Sequence, residues 1–247
     1  MRTALIPAGG TGRRMMPLTS VIPKPLLPVN MKAALHYIVD ECVSSGISRV
    51  GIVTKYRAQD ITDYFRINDF PEFGSIEIEF IPQGEGWGMV DALSVAEDFV
   101  GGEDFALLLA DDIVRSETPA IRQLMEVTDA DYVLGCEDVD RSVVHRYGAV
   151  VPREPGRVFE AARIVEKPKT DIGTGTVIAG RYILDSRIFD RLGTMESGRV
   201  SITDAIAEEL DDGAKVMGRI IDGVRYDLGS PDGYRRAFWA SVEEGWE

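Results

Sequence analysis

Cysteine and histidine are the scarcest reactive residues in this chain, with two of each among 247 residues. Cys42, in an expected helix, and Cys136, at an expected strand end, are too few for a disulfide framework or a thiolate metal site. Both read as buried small hydrophobes. His36 and His145 have no clustered partner and receive no catalytic role. No apolar run approaches the roughly 20 residues that span a bilayer, and the first residues carry one arginine and no apolar signal core. A cytoplasmic protein without a membrane partner is therefore expected. No Ser- or Gly-rich linker, repeat or low-complexity tract divides the chain. Positive charge is scarce too: 27 Lys and Arg against 41 Asp and Glu give a formal net charge of -14. That balance argues against a nucleic-acid partner, which needs a basic face to neutralise phosphates.

The few cations are unevenly placed. No acid precedes Asp40, whereas Arg2, Arg13, Arg14, Lys24 and Lys32 all do. Most of them fall in residues 7–29, PAGGTGRRMMPLTSVIPKPLLPV, a stretch with five prolines. Each proline fixes φ and removes a backbone donor, so the stretch reads as a long loop. Gly9, Gly10 and Gly12 allow close backbone approach to a bound group, and Arg13, Arg14 and Lys24 supply cationic donors. That combination suits polyphosphate. The spacing GGTGRR is not GxGxxG, and no GK[ST] follows.

The length and the hydrophobic fraction of 45% allow one large α/β domain or two small ones. Expected strands at 3–8, 50–54, 76–81, 105–110 and 131–136 alternate with expected helices at 31–45, 59–67, 90–100 and 120–128. Such alternation predicts a doubly wound, mostly parallel Rossmann-like sheet. Beyond Glu137 the pattern becomes hairpin-like, with strands at 148–152, 158–167 and 176–184, read as a small β-rich insertion and not a separate domain. Helices at 186–192 and 202–210, a strand at 216–220 and a helix at 231–244 complete the chain.

In doubly wound sheets ligands bind beyond the carboxyl ends of the strands. The glycine loop, Gln83 and Asp111 all fall at such ends. An isolated Asp after a strand is more often a helix cap or a turn residue. At the lip of FALLLA, however, Asp111 is placed to hold Mg²⁺ against phosphates, and Asp227 in RYDLGSPDGY is a candidate second ligand. Glu166 and Lys167 read either as a solvated surface pair or as hydroxyl and phosphate contacts. Arg146, Tyr147 and Gly148 read either as a hairpin start or as a place where a ligand needs bare backbone.

In their order along the chain, these motifs resemble the sugar-1-phosphate nucleotidyltransferase family. The matching segments are AGG, GRR and PKPLLPV in the loop, QGEGWGMVDAL at 83–93, LLLADD at 107–112, RYGAVV, IVEKP at 164–168 and YDLGSPDGY at 226–234. The resemblance implies a single domain over 1–247, with a nucleotide-binding core at 1–137 and a sugar-phosphate-binding part at 138–247. It implies that Ala8, Gly9, Gly10, Gln83 and Gly88 hold the nucleotide, and that Gly148, Glu166 and Lys167 hold the sugar phosphate. Asp111 and Asp227 would bind Mg²⁺, with Arg14 and Lys24 facing the phosphates. The implied reaction joins an NTP and a hexose-1-phosphate, without a general base, and the family commonly forms homo-oligomers. The segments 34–47, VEKP and ITDAI resemble the bacterial UTP-dependent glucose-1-phosphate uridylyltransferases. The four-residue spacing between Gln83 and Gly88 resembles that of mannose-1-phosphate guanylyltransferases and related branches, and glucose-1-phosphate thymidylyltransferase is a further alternative. A non-catalytic NDP-sugar-binding subunit is the alternative from another class.

Overall fold

The computed structural model describes residues 1–74, 76–195 and 201–246. Strand β1 (Thr3–Pro7) is apolar and buried, and the chain then runs through a loop containing three 3-10 turns. Strands β2 (Pro28–Val29) and β3 (Lys32–Ala33) close that loop as a short hairpin. Helix α1 (Ala34–Ser44) follows, so the expected helix starts late because its first residues are used in the hairpin. Gly46, at φ 84, ends it; glycine takes that left-handed conformation without a Cβ penalty.

Next come β4 (Arg49–Thr54), α2 (Ala58–Ile67) and β5 (Glu77–Pro82). The single helix expected at 90–100 is two, α3 (Met89–Ser94) and α4 (Glu97–Val100). The break follows Ser94, whose hydroxyl donates to the Val90 carbonyl at 3.0 Å, a local bond that competes with helix propagation. Strand β6 (Phe105–Leu108) is shorter than expected, because the chain turns at 109–111 and leaves the sheet as β7 (Asp112–Arg115). Helix α5 (Ala120–Met125) and β8 (Tyr132–Asp138) follow. The remaining elements are β9 (Gly148–Pro152), β10 (Val158–Glu166), β11 (Thr176–Leu184), α6 (Ile188–Thr194), α7 (Ile202–Asp211), β12 (Val216–Ile220), β13 (Val224–Asp227) and α8 (Pro231–Glu243).

Among the described residues, nine strands form the central sheet, in the order β5-β4-β1-β6-β11-β8-β12-β10-β9. The first four are mutually parallel, and β12 is parallel to β8. Among the described strands of the sheet, β10 and β11 run against the common direction. The sheet is thus mixed, with as many antiparallel as parallel pairings along its order, where a mostly parallel sheet was expected, and its β-rich second half is not set apart from it. Strand β11 lies between β6 and β8, antiparallel to both. Nearly all of its residues are buried, and a strand buried on both faces needs neighbours and cover on both sides. A register shift between Ile178 and Tyr182 bends it. Gly180, at φ 67, occupies the bend.

Alternate residues of β1 enter two separate cores, which places helices on both faces of the sheet. Leu5 packs with residues of α3, α6 and α7, whereas Ala4 and Ile6 pack with α1, α5 and α8. Strand β7 pairs with β13 as a ribbon outside the sheet, with Asp112 opposite Asp227. This ribbon is what brings the two distant acidic segments together.

Candidate active site

The glycine loop is fixed by its own backbone. Ala8 N donates to Val53 O at 2.7 Å, and Gly12, at φ 64, is held by the Thr19 hydroxyl donating to its carbonyl at 2.8 Å. Tyr56 in turn donates to the Thr19 carbonyl at 3.1 Å. Gly9 is bare for a steric reason: a Cβ there would stand 2.5 Å from Gln83 Oε1 and 3.0 Å from Lys55 Cβ. Gln83, 5% exposed, donates through Nε2 to the carbonyls of Gly86 and Gly88, each at 3.2 Å. Gly9, Gln83 and Gly88, predicted as one nucleotide subsite, therefore do meet. A Cβ on Gly10 would meet nothing within 4 Å, so packing does not explain that glycine.

Asp111 stands at the turn after β6, and Lys24 Nζ donates to its Oδ2. Burial works to raise this carboxyl, but Lys24, followed by Arg225 and Arg14, outweighs it and holds the group below its ordinary value. Asp227 accepts from Gly229 N at 2.7 Å and from the Tyr147 hydroxyl at 3.3 Å. Gly229 is the meeting point. A Cβ there would lie 2.6 Å from Asp227 Oδ1, 3.1 Å from Arg14 Nη2 and 3.4 Å from Asp111 Oδ2. Two carboxylates and one guanidinium thus surround a bare backbone position. No group of three or more Asp, Glu, His or Cys suited to a metal occurs among the described residues.

Behind these groups lies an inner ion-pair network. Arg225 Nε donates to Asp112 Oδ1 at 2.7 Å and Arg225 Nη1 to Glu137 at 2.5 Å, and the guanidinium lies 4.9 Å from the Tyr147 ring centroid. Asp112 is buried, and burial, reinforced by Asp111 and Asp227 against the pull of Arg225, pushes its carboxyl up to about 6. A Cβ on Gly180 would land on Asp112 Oδ2, so the bend in β11 clears space for this carboxylate.

A cleft of about 530 Å³ opens beside the network, lined by Gly148, Glu166 and Lys167 together with Tyr147, Asp112 and Arg225. Gly148 pairs with Glu166 across β9 and β10, and a Cβ on Gly148 would press within 2.8 Å of Thr203 Oγ1. Lys167 leaves the strand at φ 43 with its N donating to Tyr147 O at 3.0 Å, and its Nζ reaches Glu166. Met89, adjacent to Gly88, lines the same cleft. The three predicted sugar-phosphate residues are therefore together, and the cleft extends toward the nucleotide subsite. Lys55, Arg225 and Gly180 had no assigned part in the sequence reading, and Tyr147 entered it only as a neighbour of Gly148. Arg225 alone carried a signal, since it shares the RYD segment that singled out Asp227.

Comparison with known proteins adds to this geometry. The pattern of the nucleotidyl transferase family matches residues 3–244. A UTP-glucose-1-phosphate uridylyltransferase of Staphylococcus haemolyticus is 38% identical over 259 residues, covering 95% of this chain and 90% of its own. The Bacillus subtilis UTP-glucose-1-phosphate uridylyltransferase YngB is 37% identical over 270 residues, covering 99% and 90%. A crystal structure of UDP-glucose pyrophosphorylase complexed with UDP-glucose superposes with a TM-score of 0.92 at 28% identity, covering 99% of both chains.

Proposed function

The chain belongs to the nucleotidyl transferase family, and we propose that it transfers the uridylyl group of UTP to glucose-1-phosphate, giving UDP-glucose and pyrophosphate. The observation that carries this reading is the convergence of Asp111, Asp227 and Arg14 on Gly229, next to a cleft lined by Glu166 and Lys167. Two anions must meet in this reaction. The sugar phosphate is already a competent nucleophile at neutral pH, so its oxygen attacks the α-phosphorus without a general base while pyrophosphate leaves. The protein's part is positioning and charge neutralisation.

In this reading residues 1–137 are the Rossmann-like nucleotide part and residues 138–247 the sugar-phosphate part, within one domain that shares a sheet. Ala8, Gly9, Gly10, Gln83 and Gly88 form the base and ribose wall. Arg14 and Lys24 meet the triphosphate, and Gly148, Glu166 and Lys167 hold the sugar and its phosphate. Asp111 and Asp227 fit Mg²⁺, because two carboxylates from separate elements converge over a bare glycine and magnesium typically takes one or two carboxylates with waters and phosphates. When bound, it would supply neutralisation of phosphate charge. Lys24 occupies Asp111 here and would turn to the phosphates as they enter. Among the described residues no helix is long and apolar enough to cross a membrane. We place the enzyme in the cytoplasm, where its substrates are, as a homo-oligomer.

The test is direct. Purified protein with UTP, glucose-1-phosphate and Mg²⁺ should release pyrophosphate, and other NTP and hexose-1-phosphate pairs should do so more slowly. Asp111→Asn should lower kcat by at least about 100-fold, the scale of losing one preorganised charge contact, with an unchanged unfolding midpoint. Full activity in that variant removes Asp111 from the reaction.

A further inference from the structure

Lys55, just beyond β4, is placed unusually. Its Nζ donates to three consecutive carbonyls, those of Gly84 at 2.6 Å, Glu85 at 2.6 Å and Gly86 at 2.8 Å. An ammonium has three N–H donors, so this loop uses all of them. Gly84, at φ 74, provides the left-handed turn where the carbonyls begin to converge. Trp87 covers the arrangement, with its ring centroid 4.2 Å from Nζ and the residue half exposed. Such a cation over an indole face is itself favourable.

The consequence lies one residue before the loop. Gly86 O accepts from Gln83 Nε2 as well as from Lys55, and Gly88 O accepts from the same Nε2. Carbonyls only accept, so they fix which end of the Gln83 amide faces them. The amide nitrogen is turned into the loop. Its oxygen is turned toward Gly9, where a Cβ would stand 2.5 Å from Oε1.

We infer that Lys55 is a positioning residue for base selection: by gathering the 84–86 carbonyls it fixes Gln83 with its oxygen presented to the base. The inference rests on the reading of this subsite as the one that holds the nucleotide base. An acceptor at that point suits bases with a ring N–H on the pairing edge, as uracil, thymine and guanine have. Cytosine and adenine present a lone pair there, so two acceptors would face each other. The chemical class selected is therefore the N–H-bearing bases, and discrimination against CTP and ATP is built into the loop. Trp87 lies over Lys55 on one side.

The experiment compares wild type with Lys55→Met, Lys55→Arg and Trp87→Phe, using UTP and CTP against glucose-1-phosphate with pyrophosphate release as readout. Lys55→Met should raise the KM for UTP about tenfold, the worth of one well-formed hydrogen bond, and lower the UTP-over-CTP preference by a similar factor. The kcat with UTP and the KM for glucose-1-phosphate should stay within twofold. Lys55→Arg, which keeps several N–H donors, should recover part of the preference, and Trp87→Phe should keep most of it. An unchanged preference in Lys55→Met overturns the inference. So does a parallel fall in kcat, in affinity for both substrates and in melting temperature, since that marks a merely structural lysine. Wild type that releases no pyrophosphate from UTP and glucose-1-phosphate would defeat the proposed reaction instead. Calorimetric binding of UTP and CTP to the same variants then decides the inference, and wild type that does not prefer UTP over CTP overturns it.

Discussion

Replacing Arg181 by methionine should destabilise the protein far more than an average substitution, and replacing its partner as well should undo much of the damage. Arg181 is 0% exposed and the Glu41 side chain 6%. The guanidinium donates to both Glu41 oxygens, at 3.0, 3.1 and 2.7 Å, and also to Asp112 O at 2.7 Å and Gly180 O at 3.2 Å. Glu41 Oε1 accepts additionally from Ile121 N at 3.2 Å. Arg181→Met leaves that carboxylate buried and uncompensated, at a cost of about 3–5 kcal/mol. For a chain of this size each kcal/mol moves the melting temperature by about 2–4 °C, so a fall of about 10 °C is expected. The double variant Arg181→Met/Glu41→Met removes both charges. It should regain about 2 kcal/mol, the remainder being the acceptor lost by Ile121 N and the donors lost by the Asp112 and Gly180 carbonyls. Urea unfolding of all four species at pH 7.5 gives the coupling directly. A double variant at least as unstable as Arg181→Met would refute the argument. Activity adds a second check: both species lack the clamp on the Asp112 carbonyl, so kcat should drop several-fold in each and should not return with stability.

Four further outcomes are expected. Gly9→Ala should raise the KM for UTP about tenfold in pyrophosphate-release kinetics, because its methyl must displace Gln83 Oε1, whereas the KM for glucose-1-phosphate should hold. Gly180→Ala should cost about 2–3 kcal/mol in urea unfolding, since alanine is strained at φ 67 and its methyl meets the Asp112 carboxylate. Arg14→Ala should lower kcat at least about 100-fold while calorimetric binding of glucose-1-phosphate weakens little; equal losses would show that the loop organises the whole pocket. His36 is 0% exposed and bonded to Glu72 and Tyr64. Burial, then Lys32, lowers its pKa despite Glu72. Its neutral form is thus favoured by folding, so the stability it provides is present above about 6.5 and is lost as pH falls below that value. The urea midpoint of wild type should therefore lose ground to His36→Phe between pH 7.5 and pH 5.

Strands and helices with strong periodicity were legible in the sequence: the boundaries at 148–152, 176–184 and 216–220 are those of β9, β11 and β12. What a one-dimensional pattern does not carry is which strands become neighbours. Nothing in the residues 176–184 says that they lie between 105–108 and 132–138. For the same reason Asp111 and Asp227 were legible as separate acids at strand ends, but their approach depends on the β7 and β13 ribbon, whose first strand was not among the expected elements. Lys55 was illegible because its importance lies in contacts with backbone carbonyls, to which any residue type contributes equally. Arg225 shares the segment that singled out Asp227, but its pairing shows only once Asp112 and Glu137 are placed around it.

The position of β11 also bears on how the chain is born. It pairs with both β6 and β8, so it joins the parallel sector to the rest. During synthesis from the amino end, β1, β4, β5 and β6 can assemble early. Until the chain has been made past Leu184, however, β6 keeps an open, wholly apolar edge. Such an edge is a template for pairing with other chains, and synthesis proceeds at about 5–20 residues per second. The exposed interval therefore lasts several seconds at the rates typical of translation. The strand that bends at Gly180 to make room for the Asp112 carboxylate is also the one that ends this period of vulnerability to aggregation.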